Sequence, residues 1–395
     1  MASTASSIPS KRYQPTSEQM ALSEARKAKR LKNAEAGAPP QQIDMGAGKI
    51  IERSWIPISS PKEDQGHDQR IKEVDRLEKL LPVLKEAGYA HHYAAGPKKQ
   101  HGCLIAFKEQ LYTLQLSKTV LYDDQEVRSG IEENLRLGKS FHTKNIGNLV
   151  SLQSKSTENE GVIVATTHLF WHPRQAGILV RETTQFRAEL NVEHWPCIVS
   201  GDDAAYSLLV GDTLLPEQEQ RLLTSHVVHM SVDPTVPRTV KAPKEDGEEA
   251  GTDPDKVITS ARAATPTDGL LSPSELVDFF ARIPRVRSAY DVGLGSVKDL
   301  GDLQTYGGRV ALGPSRRGKF EPEYTSYTHY WKTVLDYIFV IDPVDRRSNV
   351  IAVLAPHKAA DLILGLPQSG VSSSDHVSLA AELHWSKVQT STTEP

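Results

Sequence analysis

Residues 335–340, LDYIFV, place one carboxylate, Asp336, at the mouth of an unbroken apolar run. Six residues rich in β-branched and aromatic side chains read as a buried strand. A carboxylate there is costly unless a cation or an imidazole meets it. Three further runs repeat the pattern. VIVATTHL (162–169) delivers His168, PCIVSGD (196–202) delivers Asp202, and SDHVSLAAEL (374–383) starts with Asp375 and His376. Acids and histidines arriving from four strands far apart in sequence point to one shared partner, a hard divalent cation and the phosphate it binds.

Taken singly, each residue has a plainer account. Gly201-Asp202 is a common turn opening, and Asp203 can simply cap a helix over AAYSLL. His168 is either a hydrogen-bonded strand-end histidine or a donor to a phosphate oxygen. Ser374-Asp375-His376 is either a turn or a carboxylate–imidazole pair fit to activate water, with His376 the natural partner for Asp336. Glu73, at the head of a leucine-rich helix, either meets the helix dipole or gives magnesium an oxygen ligand. Tyr324, Tyr327, Tyr330 and Trp331 either pack a loop or stack on unpaired bases.

The remaining composition narrows the class. The 395 residues carry a formal net charge of −4 and are 38% apolar, so no global field grips nucleic acid and any phosphate binding is local. Cys103 and Cys197 sit in apolar runs and read as reduced core residues of an intracellular protein. No apolar run approaches the length of a membrane span. The N-terminus lacks a secretory apolar core, and its Ser-rich start weakly permits a mitochondrial leader. The expected location is cytoplasmic or nuclear.

Residues 1–70 read as largely disordered. Seven Lys and Arg between Lys11 and Lys32 favour a solvated helix over about 17–33, a surface for a protein or RNA partner. Order is expected from Glu73, in one domain over 71–388 followed by a short tail. Leu77, Leu80, Leu81 and Leu84 have helical spacing, with Pro82 inside and Gly88 as the stop. GCLIAF, LYTLQL and KTVLY read as three strands. Residues 236–268 read as a disordered acidic insertion. Ser272-Pro-Ser-Glu275 is a capping box that starts a helix. Leu335–Ile341, Asn349–Leu354 and His376–Leu383 read as closing strands. Strands at both ends with helices between predict an α+β sandwich.

As an ordered series, Glu73-Val-Asp-Arg-Leu, Thr167-His168-Leu-Phe-Trp-His-Pro, Gly201-Asp202, Leu335-Asp336-Tyr-Ile-Phe and Ser374-Asp375-His376-Val resemble the endonuclease/exonuclease/phosphatase superfamily. The likeness is to its deadenylase–nocturnin–Angel branch, including fungal Ngl-type RNA exonucleases, and covers about 73–385. YTSYTHYWKTVLDYIFV (324–340) and EVDRLEKLLPVLKEAGY (73–89) share it. The resemblance implies a four-layer α/β/β/α sandwich and magnesium- or manganese-dependent phosphodiester hydrolysis, typically 3′→5′ on single-stranded RNA. It implies metal binding by Glu73 and Asp375, and an attacking water oriented by Asp202. His168 would stabilise the transition state, and Asp336, Asp375 and His376 would form the acid–imidazole end of the site. Tyr327, Tyr330 and Trp331 are the candidate substrate contacts.

The chain departs from that pattern in three places. The family's first strand, with its Asn before Leu-Ala-Gln, has no counterpart, and polar HDQRIK precedes Glu73 where the family has an apolar strand. Asp202 runs into Asp203-Ala-Ala-Tyr instead of Phe-Asn, and the link after His172-Pro173 is short. The chain therefore reads as an RNA exonuclease that lacks active-site Asn segments, from a diverged or a misassembled gene, with its own activity left open. The alternatives are an inactive RNA- or protein-binding relative and a phosphatase of small nucleotides.

Overall fold

The computed structural model describes residues 51–59, 68–74, 77–169, 173–202, 206–224, 226–238, 259–328 and 332–387. The chain divides into two units, Met1–Lys49 and Ile50–Pro395, and every described residue belongs to the second. The expected helix over 17–33, with its partner surface, lies outside the described residues, as do Tyr330, Trp331 and most of the acidic insertion.

In chain order the strands begin with β1 (Trp55–Pro57), β2 (Asp68–Val74), β3 (Tyr89–Ala95), β4 (Gly102–Lys108) and β5 (Tyr112–Leu121). Next come β6 (Ile146–Ser154), β7 (Gly161–Thr167), β8 (Cys197–Asp202), β9 (Val227–His229) and β10 (Ala261–Ala263). The last are β11 (Arg287–Ser288), β12 (Ser326–Tyr327), β13 (Lys332–Thr333), β14 (Asp336–Ile341), β15 (Arg346–Leu354) and β16 (Ala381–Lys387). Six of them form the main sheet in the order β11-β14-β8-β7-β6-β5. Only β7 and β8 run parallel within it, joined through the helix Arg174–Glu189 that a parallel crossover needs.

Side-chain alternation builds the layers. Along β6, β7 and β8, Leu149, Ile163, Ala165, Cys197 and Val199 face one core, shared with Ile178 and Phe186 of the long helix and Leu276, Phe279 and Phe280 of the helix Pro273–Ala281. Val150, Leu152, Val162, Val164 and Ile198 face the opposite way, onto Ile105 and Phe107 of β4. Leu104 and Ala106 of β4 point outward again, under Leu77, Leu80, Leu81 and Leu84 of the helix Leu77–Glu86. Two periods of two on stacked sheets, each closed by an amphipathic helix, give the α/β/β/α order. The fold is an α+β four-layer sandwich.

The second β layer is divided. β2-β4-β3 and β1-β15-β16 are separate three-stranded sheets in which β1 and β2 are edge strands. The helix Ala289–Gly295 packs Tyr290 and Leu294 on Val350 and Val353 of β15 to complete that half.

Several expectations are corrected. Polar DQRIKEV forms β2 by backbone pairing with β4, and it takes Glu73 into a strand, interrupted by a register shift between Ile71 and Val74, ahead of the leucine helix. The ladder needs only N–H and C=O groups, so a polar sequence can occupy an edge. β1 likewise lies upstream of the boundary drawn at 71, paired with β15. LYTLQL and KTVLY are one strand, β5, bulged between Leu114 and Leu116. The supposed insertion narrows, because β10 pairs with β9 and Arg262 joins Asp233 at 2.9 Å and Asp268 at 2.7 Å. The last strand starts at Ala381, not His376, which makes only an isolated bridge to Ser326. Both cysteines are buried and outside any disulfide, and burial pushes the Cys197 thiol up to about 12.

Candidate active site

Strand register brings the apolar runs to one end of the main sheet. Thr166 of β7 is level with Ser200 of β8, so His168 and Asp202, each two residues further on, emerge side by side. Asp336 opens β14 directly across from Asp202 in the antiparallel ladder. Gly147 of β6 faces Thr167, so Asn145 reaches the same end. In the second layer, β2 ends beside Gly102, where Val74 pairs with it, which sets Glu73 near the start of β4. Glu73 and Asp202 are described by their backbone alone.

The best-defined chemical contact joins Asp336 to His376, with Nδ1 2.6 Å from Oδ2. A carboxylate oxygen accepts, so Nδ1 carries the proton and Nε2 is left as the basic nitrogen. Asp375 approaches that Nε2 at 3.8 Å, beyond hydrogen-bond reach. The imidazole is therefore oriented by the distant Asp336 and not by its chain neighbour. Asp336 and His376 expose 15% and 22% of their side chains, against 58% for Asp375. The pair is shielded while Asp375 faces solvent.

A residue that sequence reading passed over holds this corner together. Thr325 is fully buried, and its Oγ1 accepts hydrogen bonds from the amides of Leu335 at 2.8 Å and Asp336 at 2.9 Å. Its carbonyl accepts from Val377 N at 2.8 Å, while Ser326 Oγ donates to the Asp375 carbonyl at 3.2 Å. Buried amides need such acceptors, and here they fix the Asp336 strand against the Asp375-His376 loop. No sequence signal marks a threonine for this work, since its partners are 10 and 52 residues away.

His168 lines a cleft with Lys99, His101, Gly102, Lys144 and Asn145. Lys99 Nζ donates to Asn145 Oδ1 within it. Beneath lies Asn148, fully buried, which takes His92 Nδ1 at 2.8 Å and donates to the Cys103 carbonyl at 3.1 Å. Three cations or imidazoles beside His168 suit a phosphate. Tyr327 is buried, packed on Leu362, Leu366 and Val377, so most of its ring serves the core.

Among the described residues, no group of three or more acid, histidine or cysteine side chains gathers as a metal centre. The oxygen chemistry of Glu73 and Asp375 suits magnesium, and the solvent-facing Asp375 carboxylate is open to a cation.

No family model matches the chain. It is 25% identical over 331 residues to a probable RNA exonuclease of Schizosaccharomyces pombe, covering 76% of this chain and 63% of the relative. To RNA exonuclease NGL2 of Saccharomyces cerevisiae it is 23% identical over 351 residues, covering 76% and 65%. This chain resembles the fungal RNA exonucleases. It spans just under two thirds of the length of these two relatives. Among solved structures, ANGEL2, a 2′,3′-cyclic phosphatase, matches with a TM-score of 0.43 and 17% identity over 80% of each chain. Among the described residues, no helix is long and apolar enough to cross a membrane.

Proposed function

We propose that this chain is a divalent-cation-dependent phosphodiesterase that trims single-stranded RNA from its 3′ end. The observation that carries the reading is the Asp336–His376 pair, set across the ladder from Asp202 in a chain that resembles RNA exonucleases. Asp202 orients the water that attacks phosphorus. The basic Nε2 of His376, held by Asp336, exchanges the proton that the attack releases. His168, with Lys99 and Lys144 beside it, donates to the phosphate oxygens as their charge builds. Magnesium or manganese, held by Glu73 and Asp375, would supply the remaining neutralisation of the phosphate. The phosphorus–oxygen bond to the leaving 3′-oxygen breaks, which yields a nucleoside monophosphate and a shortened strand.

Incubation of the purified protein with 3′-labelled oligoadenylate and magnesium tests this, and released mononucleotide is the expected product. No product, while NGL2 cleaves the same strand alongside, would overturn it. A second reading, an inactive binding relative, is favoured by one feature, Asp203-Ala-Ala following Asp202 in place of Phe-Asn. RNA binding without turnover would assign it. Release of inorganic phosphate from a nucleoside monophosphate, with the oligoadenylate left intact, would instead assign a phosphatase of small nucleotides.

A further inference from the structure

Beside the Asp336–His376 pair, two cations lie over tyrosine rings. Lys332 Nζ is 4.8 Å from the ring centre of Tyr327, its cross-strand partner in the β12–β13 hairpin. The guanidinium of Arg309 is 4.6 Å from the ring centre of Tyr324 and 5.1 Å from that of Tyr306. Tyr324 and Tyr327 meet edge-on at 5.0 Å, which joins the two stacks into one feature. Both cations are exposed, and among the described residues neither forms an ion pair with a carboxylate.

We propose that Arg309 and Lys332, supported on Tyr306, Tyr324 and Tyr327, form a ridge that grips the backbone of the single-stranded RNA entering the site. The identification of the strand as RNA rests on the nuclease reading above.

Three observations carry the proposal. The first is charge. The chain is net negative, so a polyanion is held only where cations gather locally, and these two reach solvent without a described acidic partner. The second is preorganisation. A cation lying over an aromatic face is held in place by the ring quadrupole, so less side-chain freedom is lost when a phosphate arrives. The Arg309 end is fixed as well, because Tyr306 N donates to the Glu321 carbonyl at 2.8 Å and Gly307 N to the Lys319 carbonyl at 2.9 Å. The third is connection to the chemistry. Tyr327 N donates to the Asp375 carbonyl at 3.4 Å, and Lys332 stands four residues before Asp336. A strand gripped on the ridge is thereby registered against the dyad. Interleaved cations and aromatics of this kind track single-stranded backbones without reading sequence.

The test is fluorescence anisotropy of the full chain with a short 5′-labelled oligoadenylate in EDTA, which stops metal-dependent cleavage, over a range of salt. The R309Q and K332Q variants remove the charge at two exposed positions, so both are expected to fold as the parent does, with unchanged circular dichroism. Each is expected to weaken binding roughly threefold or more and to lower the log–log salt slope by about 0.7. The double variant should lose about twice that slope. Wild-type affinity and slope in the double variant would overturn the ridge, and so would absence of RNA binding by the parent. Ridge-dependent binding without any cleavage in magnesium would retire the nuclease reading and keep the ridge. Cleavage with unaltered binding in the variants would do the reverse.

Discussion

At the scale of single residues, the site depends on a few polar contacts made where water is scarce. Replacing His376 with Ala removes the imidazole that Asp336 orients, and D336N leaves the imidazole without its carboxylate. Either change should lower oligoadenylate cleavage by about 10²–10⁴-fold, read from initial rates in magnesium. Thr325 acts earlier, on the backbone. T325V strands two buried amides and should cost about 2 kcal/mol in urea denaturation, while T325S retains the hydroxyl and most of the stability. Glu321 shows the opposite economy. It is wholly buried, with Asp291 and the Tyr206 hydroxyl near it and, among the described residues, no hydrogen-bond partner for either carboxylate oxygen, and burial pushes its carboxyl up to about 8. The Tyr206 phenol is likewise pushed well above its usual value by burial and by Glu321. The carboxyl is therefore neutral in the folded state at pH 7 but ionised in the unfolded chain. Its contribution to stability is full below about pH 4.5 and is lost as pH rises through about 8. E321Q should flatten that part of the stability–pH curve, measured as the urea midpoint at pH 5 and pH 8. An unchanged slope in the variant would remove Glu321 as its source.

At the scale of elements, local sequence rules and packing rules act on different parts of the same helices. Ser272 and Glu275 cap the helix Pro273–Ala281 reciprocally, with Ser272 N donating to Glu275 at 2.9 Å and Glu275 N to Ser272 Oγ at 3.3 Å. S272A should cost about 1 kcal/mol. Gly177, within the helix Arg174–Glu189, is governed by its neighbour instead. An added Cβ would lie 2.4 Å from the Phe279 ring, so this glycine lets two helices approach. Despite the better helix propensity of alanine, G177A should lower stability by about 1–3 kcal/mol in thermal or urea unfolding, because the clash outweighs the propensity gain. Pro82 is tolerated inside the helix Leu77–Glu86 because its leucine stripe is pinned on β4. Gly88, with φ of +74°, ends that segment as its position suggested.

At the scale of the whole molecule, the layers matter because they bring strand ends from both sheets to one face. Chelation with EDTA should abolish cleavage, with activity restored by magnesium or manganese. Retained turnover in EDTA would exclude the cation chemistry proposed for Glu73 and Asp375. The division of the second layer leaves β1 as an edge strand only three residues long, tied to the body by Ile56 and Ile58 against the Tyr290 cluster and by Arg53 to Ser378 at 2.6 Å.

Much of this could be read from residues alone. The short apolar runs VIVATT, CIVSG and LDYIFV announced β7, β8 and β14, because unbroken runs of β-branched and aromatic residues fit a strand buried on both faces, whereas β6 was not read from the sequence. A carboxylate heading LDYIFV announced a partner, and His376 met it, because an acid near a core must be neutralised. The capping box announced its helix because its bonds span three residues. Where backbone alone decides, the sequence was silent. DQRIKEV has no apolar pattern, yet it becomes β2, since a ladder is built from amides that every such residue carries. The loop at Asp375-His376 likewise reads as a strand and is none, because Thr325 and Ser326 take its backbone groups from across the fold. Sequence by itself determined which side chains needed partners. Tertiary structure decided who those partners are, because hydrogen bonds and desolvation depend on distances that only the packed layers set.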